Sequence, residues 1–268
     1  MTPEDEYAEH DEAPPATPAA TVVIFRNDPA GGAPQLLMVE RSASMNFAGG
    51  AAVFPGGRVD DADRVLAATL AVADADEETL EDLAGRVAAV RETIEETGLV
   101  VGIDRAVDHA EALAARAFLV EQGALAPMLA RHGWSLRLDD LTYFARWRPK
   151  HRHMRVFDTR FFLADLGTGA VDLLVDATEN THLFWASAAE ALQLADTGKI
   201  KIIFPTRRNL ERLAQFASFA EACAQVKAIP VKKIVPSLEQ RDGAPWLVIP
   251  ADAGYPVTGE PMESVARG

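Results

Sequence analysis

The chain is short of cysteine, of positive charge and of long apolar runs, and each shortage removes a class of protein. Its one cysteine among 268 residues, Cys223, lies in the apolar segment FAEACAQV. A disulfide-stapled scaffold is thereby excluded, and a reducing compartment is expected. Lys and Arg total 26 against 40 Asp and Glu, a formal net charge of -14. A protein that wraps nucleic acid by neutralising many phosphates needs the opposite balance, so no nucleic-acid partner is expected. A small anionic ligand stays open, provided metal ions or a local basic patch meet it. There is no run of 18 apolar residues and no basic-then-apolar leader. The expectation is a soluble, cytoplasmic protein without a membrane partner.

What is present suits one domain with appendages. Residues 1–20 carry six acidic residues and four prolines with little to bury, the composition of a disordered acidic tail. AATVVIFRN and QLLMVERS read as strands of a hairpin turning at DPAGGAP. The glycine-rich ASMNFAGGAAVFPGGRVDDAD reads as a loop with a short strand near Ala51–Phe54. From Arg64 to Thr97 an Ala/Leu/Glu-rich composition predicts two helices parted near DADEET. LVVGID is expected as a strand, residues 106–131 as helical, and LTYFARWRPK and RVFDTRFFLADL as two further strands.

Ser187, with Glu190 three residues on, has the spacing of a capping box and predicts a helix start. TRRNLERLAQFASFAEACAQV reads as a single helix whose Leu210, Leu213, Phe216 and Phe219 recur with a 3.6-residue period and face the core. APWLVIP is a last apolar strand, and residues 251–268 read as a flexible tail. Strands and helices are interspersed without a regular strand–helix beat, so the predicted class is α+β, a mixed sheet flanked by helices, over residues 21–250.

The stretch RETIEETGLV concentrates charge. On a helix Glu92, Glu95 and Glu96 share a face, three and four residues apart. They fall in the last two turns before Gly98, the expected C' residue, where the helix dipole disfavours negative charge. On the residues alone two readings stand: a solvated helix end, or a site where a cation supplies the missing positive charge. Arg91, four residues before Glu95, provides part of that charge. Hard oxygen ligands at this spacing suit Mg2+ or Mn2+ in company with water and a substrate phosphate. The glycines of FPGG, Phe54 to Gly57, allow backbone to approach closely ahead of the helix.

These residues resemble the signature of the Nudix hydrolases: glycine, five residues, glutamate, seven residues, Arg-Glu, aliphatic, any, Glu-Glu, any, Gly, aliphatic. Arg91, Glu92, Thr93, Ile94, Glu95, Glu96, Thr97, Gly98 and Leu99 fill its second half, with Thr93 at the aliphatic place. Gly57 precedes Arg91 by 34 positions where the signature spans 14, so 20 residues are inserted. The first glutamate has no single counterpart. Asp63 stands at the right distance from Gly57, whereas counting back from Arg91 lands on Leu83, beside Glu81 and Asp82.

A split signature is similar to that of the coenzyme A diphosphatase branch. The stretch LMVERSASMNFAGGAAVFPGG matches that branch's upstream pattern at Leu37, Arg41, Ser42, Gly50, Phe54, Pro55, Gly56 and Gly57, with Asn46 replacing a second arginine. Looser likeness continues through FARW, FDTRFFLA, WASAAEAL and FPTRRNLERLA.

The resemblance implies a Nudix α/β/α sandwich with helical insertions at about 64–84 and 106–135. It also implies an enzyme that uses Mg2+ or Mn2+ held by Glu92, Glu95 and Glu96, with Arg91 orienting those glutamates. Substrate contacts are expected from Arg41, Ser42, Phe54, Gly56 and Gly57. The expected reaction is water attack on a phosphorus of CoA or acyl-CoA, yielding 3',5'-ADP and (acyl-)4'-phosphopantetheine. ADP-ribose, NADH or dinucleoside polyphosphates are the alternative substrates, and a nucleotide-binding regulator is the alternative of another class. The basic run Arg148, Lys150, His151, Arg152, His153 and Arg155 reads either as solvated hairpin charge or as a contact to ribose phosphates. Arg207 and Arg208 carry a similar ambiguity, and both a monomer and a homodimer fit the family.

Overall fold

A computed structural model of the chain describes residues 16–43, 48–149, 156–166 and 180–265. β1 (Ala16–Arg26) and β2 (Gln35–Arg41) form the expected hairpin, with Phe25 opposite Leu36 and Arg26 opposite Gln35. Beyond those pairs the two strands splay apart. The segment carrying FPGG enters the gap, where β3 (Ala52–Val53) pairs with β2 and β4 (Gly56–Arg58) with the start of β1. This wedge brings Gly56 and Gly57 to the mouth of the sheet.

β6 (Val156–Asp165) runs parallel to β1, β5 (Thr142–Trp147) antiparallel to β6, and the short β8 (Lys233–Ile234) parallel to β5. β7 (Asn180–Ser187) covers the other edge of β2. The sheet is therefore mixed, with eight strands.

Alternation along the strands divides the core into two layers. Val22, Ile24, Leu37 and Val39 face one side, where they meet Val87, Val90 and Ile94. Val23, Phe25, Leu36 and Met38 face the other, against Leu210, Leu213 and Ala222. The first layer is covered by α1 (Asp61–Leu70), α2 (Glu77–Thr97), α3 (His109–Gln122) and α4 (Leu125–His132). α5 (Ala188–Asp196), α6 (Phe204–Leu213) and α7 (Phe219–Ala228) cover the second. The architecture is the α/β/α sandwich that the sequence implied.

α2 is the helix that matters most for function. Asp76 caps it by accepting a 2.8 Å hydrogen bond from the Thr79 backbone N–H, and Gly98, with φ of 71°, ends it by donating to Ile94 O. Full burial of Val87, Val90 and Ile94 stabilises the docked helix by about 1.5–3 kcal/mol each. Between Gly57 and Arg91 the chain forms α1 and the first turns of α2, with Arg64 Nε donating to Glu81 Oε1 at 2.8 Å across the pair.

Four expectations need correction. The segment LVVGID is not a strand; it bends at Gly102, with φ of 66°, and touches other backbone through a single bridge, Ile103 to Leu136. Leu99, Val101 and Ile103 are buried in the first core layer without joining the sheet. The single helix read over TRRNLERLAQFASFAEACAQV is two, because the Ser218 hydroxyl accepts from Glu221 N–H and starts α7 afresh. A local cap overrides the continuous apolar period.

Residues 251–265, within the stretch read as flexible, are packed: β11 (Gly259–Pro261) completes a small antiparallel sheet with β9 (Ser237–Arg241) and β10 (Ala244–Val248, the expected last strand), and α8 (Met262–Val265) follows. Tyr255 and Met262 fill the second core layer and hold the segment there. β1 begins at Ala16, inside the stretch read as acidic tail, and the preceding tail residues lie outside the described residues. So do Asn46 and the basic residues Lys150, His151, Arg152, His153 and Arg155.

Candidate active site

The C-terminal turns of α2 lie over β4 and the start of β1. Glu96 Oε2 accepts a 2.9 Å hydrogen bond from the Gly56 N–H. Gly56 itself presses on β1, and a side chain there would place Cβ 2.2 Å from the Ala20 carbonyl oxygen. Gly57 lies beneath Glu92, where a Cβ would fall 2.2 to 2.6 Å from the carboxylate atoms. Only glycine lets backbone and carboxylate come this close. The FPGG turn and the RETIEETG helix end are thus one construction, in contact through Gly56–Glu96 and Gly57–Glu92.

Arg91 is the hub. Its side chain is 5% exposed, and all five of its N–H donors have acceptors. Nε donates to Asp63 Oδ1 at 3.0 Å, and Nη2 to Asp63 Oδ2 and to Arg58 O, both at 2.9 Å. Nη1 donates to Glu92 Oε1 and Glu95 Oε2, also at 2.9 Å. Burial by itself would ease the proton off this guanidinium. The Asp63 hydrogen bonds and the charges of Glu92, Asp63 and Glu95 outweigh it and hold the pKa above its ordinary value.

Of the three candidates for the first signature carboxylate, Asp63 is the one bonded to Arg91. Asp63 is 1% exposed and grips Arg91, and its Oδ2 also accepts from the Asp60 N–H in a capping box that starts α1. Glu81 is engaged by Arg64 and Asp82 by Arg160. Among the described residues neither is a hydrogen-bond partner of Arg91. The shorter Asp side chain serves because α1 starts directly behind Arg58, whose carbonyl Arg91 also holds.

Burial drives the Glu92 carboxyl up to about 8; Arg91 pulls the other way, and the neighbouring Glu96 and Glu95 charges push with the burial. Glu95 is likewise raised, again by burial first, with Arg91 opposing. Burial therefore holds Glu92 and Glu95 back from ionising, and Arg91 offsets only part of that cost. Among the described residues, no three carboxylate, imidazole or thiol side chains are gathered closely enough to hold a metal ion unaided.

The donor set nevertheless fits Mg2+ or Mn2+. Mg2+ keeps several waters and is held by one or two carboxylates together with substrate phosphate rather than by an all-protein cage. Hard oxygens are what the site offers: Glu92, Glu95 and Glu96, and one more that the sequence reading missed. Asn180, 2% exposed, donates from Nδ2 to Glu96 Oε1 at 3.3 Å, while its Oδ1 is buried without a partner.

Of the expected substrate contacts, the structure brings Arg41 to this place and takes Phe54 away. Arg41 follows Leu37 and Val39 on the α2 face of β2 and is the register partner of Asn180. Its Nε is buried and has no hydrogen-bond partner among the described residues. Ser42 follows it, half-buried. Phe54, 3% exposed, belongs to the core layer on the opposite face, so its role is packing. Arg207 pairs with Asp196, and the buried Arg208 with Glu211 and Glu260, which makes both structural. Thr93, at the aliphatic place of the signature, is buried and satisfies its hydroxyl on the Ala89 carbonyl at 2.7 Å.

A mixed sheet splayed around a glycine turn, under a helix that ends in paired glutamates, defines an enzyme of the pyrophosphohydrolase class. No protein-family model matches the chain. Solved structures do. A Nudix hydrolase from Alicyclobacillus acidocaldarius is 27% identical over 78% of this chain and 96% of its own, with a TM-score of 0.65. The MutT protein from Methanosarcina mazei Go1 is 14% identical over 75% and 94%, with a TM-score of 0.41. The C. elegans Ap4A hydrolase, solved as a binary complex, is 15% identical over 80% and 96%, at 0.36. The chain thus shares the fold of the Nudix hydrolases.

Proposed function

We propose that this protein is a Nudix hydrolase that cleaves the diphosphate of CoA or acyl-CoA to 3',5'-ADP and (acyl-)4'-phosphopantetheine, using Mg2+ or Mn2+ at Glu92, Glu95 and Glu96. The observation that carries the reading is Arg41. It ends β2 on the α2 face, opposite a residue that touches Glu96, with a buried N–H that lacks an acceptor. A guanidinium so placed calls for an anion, and it stands in the upstream pattern that likens this chain to the CoA diphosphatase branch.

When bound, the divalent ion would neutralise diphosphate charge and lower the pKa of a water. The chain's own residues arrange the rest. Arg91, fixed by Asp63, sets the positions of Glu92 and Glu95. Gly56 and Asn180 hold Glu96. Gly57 leaves the space in which the Glu92 carboxylate and a substrate group meet. Arg41 takes a phosphate oxygen. A water oxygen bonds to one phosphorus, the bridging P–O bond breaks with its electron pair going to the leaving phosphate, and the water's proton passes to solvent.

The test is a panel of CoA, acetyl-CoA, ADP-ribose, NADH and diadenosine polyphosphates with Mg2+ or Mn2+, with products separated by chromatography. CoA compounds are expected to have the highest kcat/KM. Fast turnover of another member with none of CoA would transfer the assignment to that substrate. No turnover of any would point to a nucleotide-binding regulator.

A further inference from the structure

We infer that Asn180 is a member of the metal site, binding the divalent cation through its side-chain oxygen while its amide NH2 holds Glu96. The inference rests on the metal reading of Glu92, Glu95 and Glu96 given above. The backbone supplies the first part of the argument. Leu183 and Trp185 on β7 pack in the core layer shared with α2, while Phe184 and Ala186 pack in the opposite layer. Strict alternation would continue to Thr181 on the α2 side and send Asn180 the other way. The pairing with β2 is irregular here: Glu40 is opposite His182 but Arg41 is opposite Asn180, so Thr181 is the extra residue of a bulge. A bulge of this kind re-aims the side chain that follows it, and Asn180 is turned under α2 onto Glu96.

The amide's own chemistry supplies the second part. Glu96 Oε1 has only lone pairs to offer, so the amide turns its NH2 toward it. That leaves Oδ1 buried, beside Glu96, with no donor among the described residues. A buried carbonyl oxygen without a partner costs about 1–3 kcal/mol, and the nearby unpartnered donor does not relieve it. Arg41 Nε is opposite across the strand pair and is itself unpartnered. An orphan acceptor and an orphan donor that face one site without bonding to each other are both satisfied by one ligand chemistry, a cation carried together with an anion. A metal–diphosphate complex is such a ligand: Oδ1 takes the cation and the guanidinium the phosphate. Neutral amide oxygen is a good ligand for hard divalent ions and adds no further negative charge to a site already rich in it.

The test uses Mn2+ alone as the probe, on the full chain without substrate. Its dissociation constant is read from the electron paramagnetic resonance signal of free Mn2+, and the Mn2+-induced rise in melting temperature is measured on the same samples. Asn180→Ala is expected to weaken Mn2+ binding by about tenfold or more, with a smaller thermal rise. Asn180→Asp, which keeps the oxygen and loses the NH2, is expected to bind Mn2+ at least as tightly as the wild type, with a larger thermal rise. If Asn180→Ala binds Mn2+ as the wild type does, the inference is overturned. It is equally overturned if Asn180→Asp is as weak as Asn180→Ala, since the NH2 contact to Glu96 would then be the whole role. Should Asn180→Ala fail to fold, Asn180→Asp decides alone: Mn2+ binding at least as tight as in the wild type supports the inference, and binding about tenfold weaker overturns it. A wild type that binds no Mn2+ would instead overturn the metal reading beneath this inference.

Discussion

Asp63 and Arg91, separated by 28 positions, meet through a two-pronged buried pair, Oδ1 to Nε at 3.0 Å and Oδ2 to Nη2 at 2.9 Å. The pair is the fixed point from which Arg91 reaches Glu92 and Glu95. Asp63→Asn replaces one acceptor with a donor and leaves a buried guanidinium short of counter-charge. Breaking one side of a buried pair costs about 3–5 kcal/mol, which thermal or urea melting will register. Loss of orientation in carboxylates that contact metal typically costs about 10–100-fold. A matching fall in kcat/KM for the cleaved diphosphate, and in Mn2+ affinity, is expected. Asp63→Asn with full activity would remove Asp63 from the site.

Why a reading of the sequence left the choice open among Asp63, Glu81 and Asp82, while it gathered the three glutamates, follows from distance along the chain. Glu92, Glu95 and Glu96 lie within five positions on one helix, and helical geometry alone places them together. Gly98 closes that helix by a rule local to its own backbone. Asp63 reaches Arg91 only because α1 and α2 pack side by side, and no spacing rule carries across an insertion. Asn180 was further out of reach, since a single bulge residue decides which face of β7 it joins. The hairpin, the two core layers and α5 with its Ser187 cap were legible, because alternation, period and caps act within one element. LVVGID was misread because apolar residues show that something is buried, not whether it joins the sheet, and residues 251–265 because only Tyr255 and Met262, set among prolines and glycines, anchor them to the core.

Gly57→Ala tests the close approach beneath Glu92. The added Cβ would fall 2.2 Å from Glu92 Oε1 and 2.3 Å from Cδ, so the carboxylate has to move off its place. Since the Glu92 side chain can turn outward, the fold should survive with a stability change of about 1–3 kcal/mol. A displacement of an ångström at the site can cost about 100-fold in turnover. The expected result is a protein that melts cooperatively and has lost one to two orders of magnitude in kcat. Undiminished kcat would mean that the position of Glu92 over Gly57 is not the working one.

Glu211 gives the fold a pH dependence away from the site. Its Oε1 accepts from Arg208 Nη2 at 2.8 Å, while Oε2 is buried without a partner. Burial pushes this carboxyl from 4.5 up to about 7; Arg208 and Arg207 oppose the rise, and Glu260 and Asp196 add to it. The folded pKa is above the unfolded one, so the folded state binds the proton more tightly. The resulting stability is complete below about pH 4.5 and is lost as pH rises through 7. Glu211→Gln carries no such proton. Relative to the variant, the wild type should lose about 1–3 kcal/mol between pH 5 and pH 8. Parallel stability curves for the two proteins over that range would refute the assignment.

Tyr255 tests whether the C-terminal segment belongs to the domain. Its hydroxyl accepts from Trp147 Nε1 at 3.0 Å and donates to Asn209 Oδ1 at 2.7 Å, joining that segment to β5 and α6 inside the second core layer. Tyr255→Phe keeps the ring, with its edge contacts to Trp147, and removes only the oxygen. Two buried groups then lack a partner, at about 1–3 kcal/mol for each group left unmade. The site lies across the sheet, against the other layer. A fall in melting temperature is therefore expected without any change in kcat at temperatures where the variant is folded. Were kcat to fall in step with stability in the folded protein, the two faces of the sheet would be coupled, and the C-terminal segment would have to be counted as part of the active site's support.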